Sequence, residues 1–250
     1  MLTLERHRII LQLLKDKNIV KIQEIMELTN SSESTIRRDL SQLEEQKFLK
    51  RIHGGAQRLQ GKLQEPSMIE KSSKNLQEKR LIAKYAASLV ETGDCIYLDA
   101  GSTVIEMIEY LPIKDIVVVT NGLMHVTPLL NKGISTYIIG GLTKPKTNAI
   151  IGRGALASLD IYRFDKCFIG VNGIHPQFGF TTPDQEEAMV KQKAISLARE
   201  AYVLADNTKF TEISFAKIAE IHEAAVITNE LEDETKKQYV NRTSIKVVTS

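Results

Sequence analysis

Between Lys21 and Ala56 the chain has little freedom of fold. KIQEIMELTNSSESTIRRDLSQLEEQKFLKRIHGGA reads as a helix, a tight polar turn, a second helix and two short strands closing on Gly54-Gly55. Ile22, Ile25, Met26 and Leu28 give the first helix an apolar face at helical spacing. Thr29-Asn30-Ser31-Ser32 stops that helix, and Ser31 or Ser32 caps the next by accepting a backbone N–H. In the second helix Ile36, Leu40 and Leu43 fall at i, i+4 and i+7 and point inward together. Ser34, Thr35, Arg37 and Arg38 are then left outward, near the positive end of the helix.

Short hydroxyls and paired guanidiniums are the side chains that reach base edges and phosphates in a major groove. The plain alternative is a helical hairpin with a solvated charged face. Against it, the short helix-turn-helix spacing and the outward S-T-x-R-R cluster are followed at once by a basic ribbon, Lys50, Arg51 and His53, suited to lie as a wing along the backbone. The expected contact set is Ser32, Ser34, Thr35, Arg37, Arg38, Lys50, Arg51 and His53, with double-stranded DNA as partner.

Bulk charge adds little. The formal net charge of the 250 residues is +2, and the excess of cations toward the N-terminus is mild. Affinity for DNA must come from local placement of cations and weaken as salt rises. No run is long or apolar enough for a membrane span, and MLTLERHRII has neither the apolar core nor the cleavage site of a signal peptide, so a cytoplasmic protein is expected. Cys95 and Cys167 lie in apolar strand-like surroundings without a CxxC or His cluster. They read as buried small hydrophobes, and no metal or cofactor is expected.

Taken in order, Leu4 to Lys17 has helical periodicity and Ile19 to Lys21 reads as a small strand pairing with the wing. The expected domains are 1–57, a linker over 58–74 (partly helical), and 75–250. In the last, NLQEKRLIAKYAASLV reads as an amphipathic helix with Glu78 and Lys79 on its outer face. CIYLD, IVVVT, TYIIG, KCFIG, AYVLAD, AAVIT and IKVV read as strands. Between them come a helix around Ile150 to Leu159, a Gly- and Pro-containing loop after KCFIGVNG, and a helix over EEAMVKQKAISLARE. Such alternation predicts an α/β fold, a parallel sheet covered on both faces.

Many of these strands run out into polar residues. Asp99-Ala100-Gly101-Ser102-Thr103, Thr120-Asn121, Gly140-Gly141, Gly170-Val171-Asn172-Gly173 and Asp206 to Lys209 all sit at strand C-terminal ends, the edge where open parallel sheets bind ligands. Gly-Ser-Thr opening a helix offers backbone N–H groups, hydroxyls and the helix dipole to a phosphate. Lys191 and Lys209 add positive charge, and Asp99 and Glu187 accept from sugar hydroxyls. Glu187 and Lys191, four apart, share a helix face. Singly these are ordinary turn chemistry and surface pairs; together they predict a pocket for a hydroxylated phosphate ester. Its candidate residues are Asp99, Gly101, Ser102, Thr103, Thr120, Asn121, Gly140, Gly141, Gly170, Asn172, Gly173, Glu187, Lys191, Asp206 and Lys209.

STIRRDLSQLEEQKFLKRIHGGA resembles the winged helix-turn-helix signature of the DeoR family of bacterial transcriptional regulators. EKRLIA, YLDAGST, VVTNG, IIGG, FIGVNGI, EEAMVK and ADNTKF resemble landmarks of that family's sensor domain, which implies a fold like ribose-5-phosphate isomerase and CoA-transferases. In the isomerase the loop corresponding to FIGVNG carries paired acidic residues, and here those places are Gly170, Asn172 or Gly173. The resemblance therefore implies binding without turnover, although Glu187 and Lys209 match isomerase residues. ESTIRRDLSQLEEQ, LKRIHGGA and EPSMIEKSSKN are similar to fructose-operon repressors of Gram-positive bacteria, which implies fructose 1-phosphate as effector. The expectation is a repressor, acting as a homodimer or homotetramer, that releases its operator on binding a phosphorylated sugar. The alternatives are an isomerase-like enzyme with a DNA-binding module and an activator with another phosphorylated effector.

Overall fold

The computed structural model describes residues 2–17, 19–46, 48–58, 65–112 and 115–249. The chain divides into two compact units, Met1–Gly61 and Lys62–Ser250.

The first unit runs α1 (Thr3–Lys17), β1 (Ile19–Lys21), α2 (Ile22–Thr29), α3 (Glu33–Glu45), β2 (Leu49–Ile52) and β3 (Gly55–Arg58). The three strands form an antiparallel sheet in the order β1-β3-β2, so the short strand before α2 does pair with the wing. Ile10, Leu14, Val20, Ile25, Ile36, Leu40, Leu43 and Leu49 make its core. Leu28, expected on the apolar face of α2, is exposed; Thr29 takes the buried place, its hydroxyl donating to Ile25 O at 2.7 Å. Asn30 ends α2 in the left-handed conformation (φ 47°) with its N–H on Met26 O, a short polar residue where a β-branched one would be strained. The glycine pair of the wing has a steric origin: Gly54 turns at φ +76°, and a Cβ on Gly55 would stand 2.2 Å from Val20 O of β1.

The second unit begins with α4 (Met68–Ser73) and α5 (Leu76–Ser88), then β4 (Cys95–Leu98), α6 (Met107–Tyr110), β5 (Val117–Thr120), α7 (Leu123–Asn131), β6 (Ser135–Ile138), β7 (Leu142–Lys144), β8 (Ala149–Ile151) and α8 (Arg153–Leu159). It continues through β9 (Phe164–Gly170), β10 (Gly173–His175), β11 (Gly179–Thr182), α9 (Gln185–Ser196), β12 (Ala198–Leu204), β13 (Ala216–Ala219), β14 (Ala225–Thr228), α10 (Asp233–Lys237) and β15 (Ile245–Val247). Seven strands form an all-parallel sheet in the order β15-β14-β12-β9-β4-β5-β6. The two-residue period sends alternate side chains to opposite faces. Ile96, Leu98, Val118, Phe168 and Leu204 join a core with Ile82, Ala83 and Ala86 of α5. Tyr97, Val119, Cys167, Ile169 and Val203 join another with Leu159 of α8 and Ala188 and Ala194 of α9.

At several points the structure departs from the pattern read in the sequence. The helix expected around Ile150 to Leu159 starts at Arg153, because Ala149–Ile151 pairs antiparallel with β7. The helix over EEAMVKQKAISLARE stops at Ser196, and Ala198 to Glu200 already belong to β12, paired with β9. The loop after FIGVNG contains a hairpin, β10–β11, whose second strand pairs with β13. Cys95 is half-buried, whereas Cys167 is fully buried as expected. Lys79 is not on the outer face of α5: it is 4% exposed, on the stripe shared by Ile82, Ala83 and Ala86. In the stretch read as linker, residues 59–64 lie outside the described residues, and Met68–Ser73 is helix, closed by a reciprocal capping box between Ser67 and Glu70. Among the described residues no helix is long and apolar enough to cross a membrane.

Candidate functional site

In the first unit α3 is built so that one row faces in and another out. Ile36, Asp39, Leu40 and Leu43 are buried, whereas Ser34, Arg37 and Arg38 are exposed and Thr35 is half-buried. Ser32 is the N-cap; its Oγ accepts from Thr35 N at 3.4 Å and lies 3.1 Å from Ser34 Oγ and 2.9 Å from Thr35 Oγ1. The helix start thus presents three linked hydroxyls. One turn on, Arg37 is held by Glu33, with Nη2 at 2.6 Å and Nε at 2.9 Å from Oε1. The wing is tied to the same helix: Arg51 Nη1 donates to Ser41 Oγ at 2.7 Å and Arg51 N to Glu44 Oε1 at 2.7 Å. Lys50, Arg51 and His53 are exposed. Asp39, a residue not among the expected contacts, has a carboxylate that accepts from Arg6 Nε at 2.6 Å and Arg6 Nη2 at 3.1 Å inside the unit.

In the second unit strand order reverses between β4 and β9, the switch point at which open sheets hold ligands. Asp99 stands there, 1% exposed. Its Oδ2 accepts Gly170 N from the end of β9 at 3.0 Å and Lys191 Nζ from α9 at 2.5 Å. Burial opposes the charge of Lys191, but Asp99 and Glu187 outweigh it and hold the ammonium above its ordinary pKa. Glu187, one turn before Lys191, accepts Thr147 Oγ1 at 2.7 Å and Lys144 Nζ at 3.0 Å. Lys144 also meets Asp184 Oδ2 at 2.8 Å and Glu65 Oε2 at 2.5 Å. Asp206 caps the short 3-10 turn Asn207–Lys209, and its Oδ2 lies 3.9 Å from Lys209 Nζ.

The predicted residues therefore separate by what they do. Asp99, Gly170, Glu187 and Lys191 converge around the switch point, with Asp206 and Lys209 at the end of β12. Thr120 and Asn121 are buried and spent on scaffolding. Thr120 Oγ1 donates to Leu98 O at 2.6 Å, and Asn121 Oδ1 accepts Ala100 N at 2.9 Å. Gly140 and Gly141 follow the edge strand β6, with Gly141 pressed against Ile151 O and Ala155 N at the start of α8; they turn the chain. Asn172 Oδ1 accepts Thr182 Oγ1 at 3.1 Å and Gly173 opens β10. Gly101, Ser102 and Thr103 do not open a regular helix: 102–106 are turns, followed by the four-residue α6, so only a fraction of the expected dipole is there.

Glu65, Lys79, Lys144, Thr147 and Asp184 were missed. Lys79 had a readable signal, since position 79 falls on the same helical stripe as Ile82, Ala83 and Ala86. Burial holds its ammonium below the ordinary lysine pKa, partly offset by Asp206.

Residues 6–62 match the DeoR-like helix-turn-helix domain and residues 74–230 the DeoR C terminal sensor domain. The chain is 57% identical to the "Uncharacterized HTH-type transcriptional regulator FruR" of Bacillus subtilis (strain 168), over 99% of each chain. It is 35% identical to the "Lactose phosphotransferase system repressor" of Staphylococcus aureus (strain NCTC 8325 / PS 47), over 98% of each. Among solved structures, ribose 5-phosphate isomerase A from Methanocaldococcus jannaschii is similar at 20% identity and a TM-score of 0.41, over 55% of this chain and 56% of that one. eIF2B delta from Chaetomium thermophilum is similar at 17% identity and a TM-score of 0.42, over 57% and 52%. The chain spans about half the length of these two, and likeness at that level carries no weight on chemistry.

Proposed function

The chain belongs to the DeoR family of transcriptional regulators, and on that premise we propose that it represses a sugar-utilisation operon. Its winged helix-turn-helix grips double-stranded operator DNA, and its sensor unit lets go on binding a phosphorylated sugar, fructose 1-phosphate first among candidates. The observation that supports the first half is the outward row of α3: three hydroxyls at its N-terminus, then Arg37 and Arg38, with the wing cations Lys50, Arg51 and His53 after it. Ser34, Thr35 and the two arginines suit base edges and phosphates, and the wing suits the backbone. One recognition helix reads a half-site only, so the working form is a homodimer or homotetramer.

The second half is supported by the switch-point cluster, which mixes ammonium and carboxylate groups as a polyol phosphate requires. That the S. aureus relative is named a repressor of a lactose phosphotransferase system suits a phosphorylated effector. Turnover is not expected. Among the described residues of this cluster, Asp99 is held by Lys191, Glu187 by Lys144 and Thr147, and Asp206 by the backbone N–H and hydroxyl of Thr208, while Gly170 to Gly173 bring no carboxylate, which leaves a general base unsupported. A thermal-shift screen over phosphorylated sugars tests the effector class, because a ligand bound only by the folded state raises its melting temperature. An isomerisation assay on the same sugars tests the enzyme alternative.

A further inference from the structure

Glu65 belongs to the segment that comes after the DNA-binding unit in sequence, yet its carboxylate is buried among the cations of the sensor site. It is 5% exposed, with Oε1 2.9 Å from Lys71 Nζ and Oε2 2.5 Å from Lys144 Nζ. Its charge also reaches Lys191, the ammonium that holds Asp99. Burial pushes the carboxyl up, but Lys71 and Lys144 outweigh it, so Glu65 stays ionised below the ordinary Glu value. Two more bonds pin the segment: Met68 N donates to Lys146 O at 3.0 Å, and Lys79 Nζ donates to Lys71 O. Residues 65–71 are thus a strap fastened by lysines, Lys144 and Lys79, that stand beside Glu187 and Asp206.

A carboxylate delivered to Lys144 by an otherwise unrelated segment is chemically a tethered anion. Lys144 has Asp184 and Glu187 beside it already, so Glu65 is not required to neutralise it. We propose that Lys144 is an anion-binding residue of the effector site, that Glu65 fills this place in the empty protein, and that the phosphate of the effector displaces Glu65 and frees residues 65–73. The inference rests on the sugar-phosphate reading above and adds its switch: the freed segment is the one covalently continuous with the wing strand β3. A ligand acts in this way only by its preference for the strap-free state, so the strap lowers apparent affinity by the fraction of time Lys144 is occupied.

The test uses the full chain as wild type, Glu65→Gln and Lys144→Met, titrated with fructose 1-phosphate and separately with inorganic phosphate, with hydrogen exchange followed over residues 65–73. Glu65→Gln keeps the side-chain volume and removes the competing charge; it should bind fructose 1-phosphate roughly tenfold more tightly and exchange rapidly over 65–73 before ligand is added. Lys144→Met should exchange rapidly too but bind at least about tenfold more weakly, which a merely structural pin would not produce. Wild type should lose protection over 65–73 on adding the sugar ester. Binding of fructose 1-phosphate to wild type with 65–73 still protected, or with equal affinity in Glu65→Gln, overturns the switch and leaves the sugar-phosphate reading standing. Inorganic phosphate binding more tightly to Glu65→Gln, with no response to fructose 1-phosphate, keeps the anion subsite and sinks fructose 1-phosphate as the effector. No binding of either probe to any of the three chains sinks both.

Discussion

Arg6 and Asp39, thirty-three positions apart, meet through two hydrogen bonds of 2.6 and 3.1 Å, fastening α1 to the middle of α3. Side chains of both are almost fully buried. The T-I-R-R-D-L run therefore does two jobs. Ile36, Asp39 and Leu40 lock the helix from inside, and Arg37 and Arg38 project from the locked frame.

Asp39→Ala should accordingly lower the stability of the N-terminal unit by about 2–3 kcal/mol, since the bonds lost are charge-assisted and Arg6 is left buried. Operator binding falls with it. Denaturant unfolding monitored in the N-terminal unit checks this, and an unchanged midpoint would count against the lock.

Arg37→Ala separates recognition from folding. Arg37 is exposed and its Glu33 pair is a surface pair of little worth to stability. The melting temperature should stay put while operator affinity drops at least about tenfold. Glu33→Gln releases the same guanidinium and removes a negative charge, so it should tighten binding several-fold, most at low salt. A gel shift with both variants measures each effect, and a tight Arg37→Ala complex would reject the assignment.

Asp99→Ala strands a buried ammonium. Lys191 is 6% exposed and Asp99 is its ion-pair partner, so the substitution should destabilise the sensor unit by about 3–5 kcal/mol. Asp99→Ala with Lys191→Met should recover much of that loss, whereas Lys209→Ala, at a partly exposed position, should barely move the melting temperature. A double-mutant cycle on Asp99 and Lys191 that returned no coupling would contradict the pairing.

His125 makes stability depend on pH. The Thr120 hydroxyl gives its proton to Leu98 O, so His125 Nδ1, 2.9 Å away, is the donor between them. Nε2 is left buried without a partner among the described residues. Burial lowers the imidazole pKa from 6.5 to about 4. Above 6.5 the ring is neutral in both states. As pH falls from 6.5 toward 4 the unfolded chain takes up the proton and the folded one does not, so stability should drop by about 3 kcal/mol across that window. His125→Asn should flatten the profile there, and a wild-type profile already flat would show that the ring is not held neutral.

The sequence carried the architecture wherever local pattern and tertiary environment agree. Ile36, Leu40 and Leu43 announced the inner face of α3, and alternating strands and helices announced the parallel sheet. It failed where a polar side chain is needed inside. Asp39 and Lys79 look like surface residues by type, and only their helical phase, shared with Leu43 and Ile82, says otherwise. Thr120 and Asn121 were drawn into the site by their place at a strand end, but their hydrogen bonds face Leu98 and Ala100 across neighbouring chain, which no local pattern encodes. Glu65 lies 79 positions from Lys144, and a pairing at that range has no signature in one sequence.

One protein is expected both to hold operator DNA and to surrender it to a sugar phosphate. Fluorescence anisotropy of a labelled fragment from the upstream region of its own operon, titrated with the full chain with and without fructose 1-phosphate, tests it in one experiment. Binding should be saturable, weaken with salt, and be reversed by the phosphorylated sugar but not by free fructose. A fragment that stays bound at saturating concentrations of every phosphorylated sugar tried, or that never binds, would contradict it.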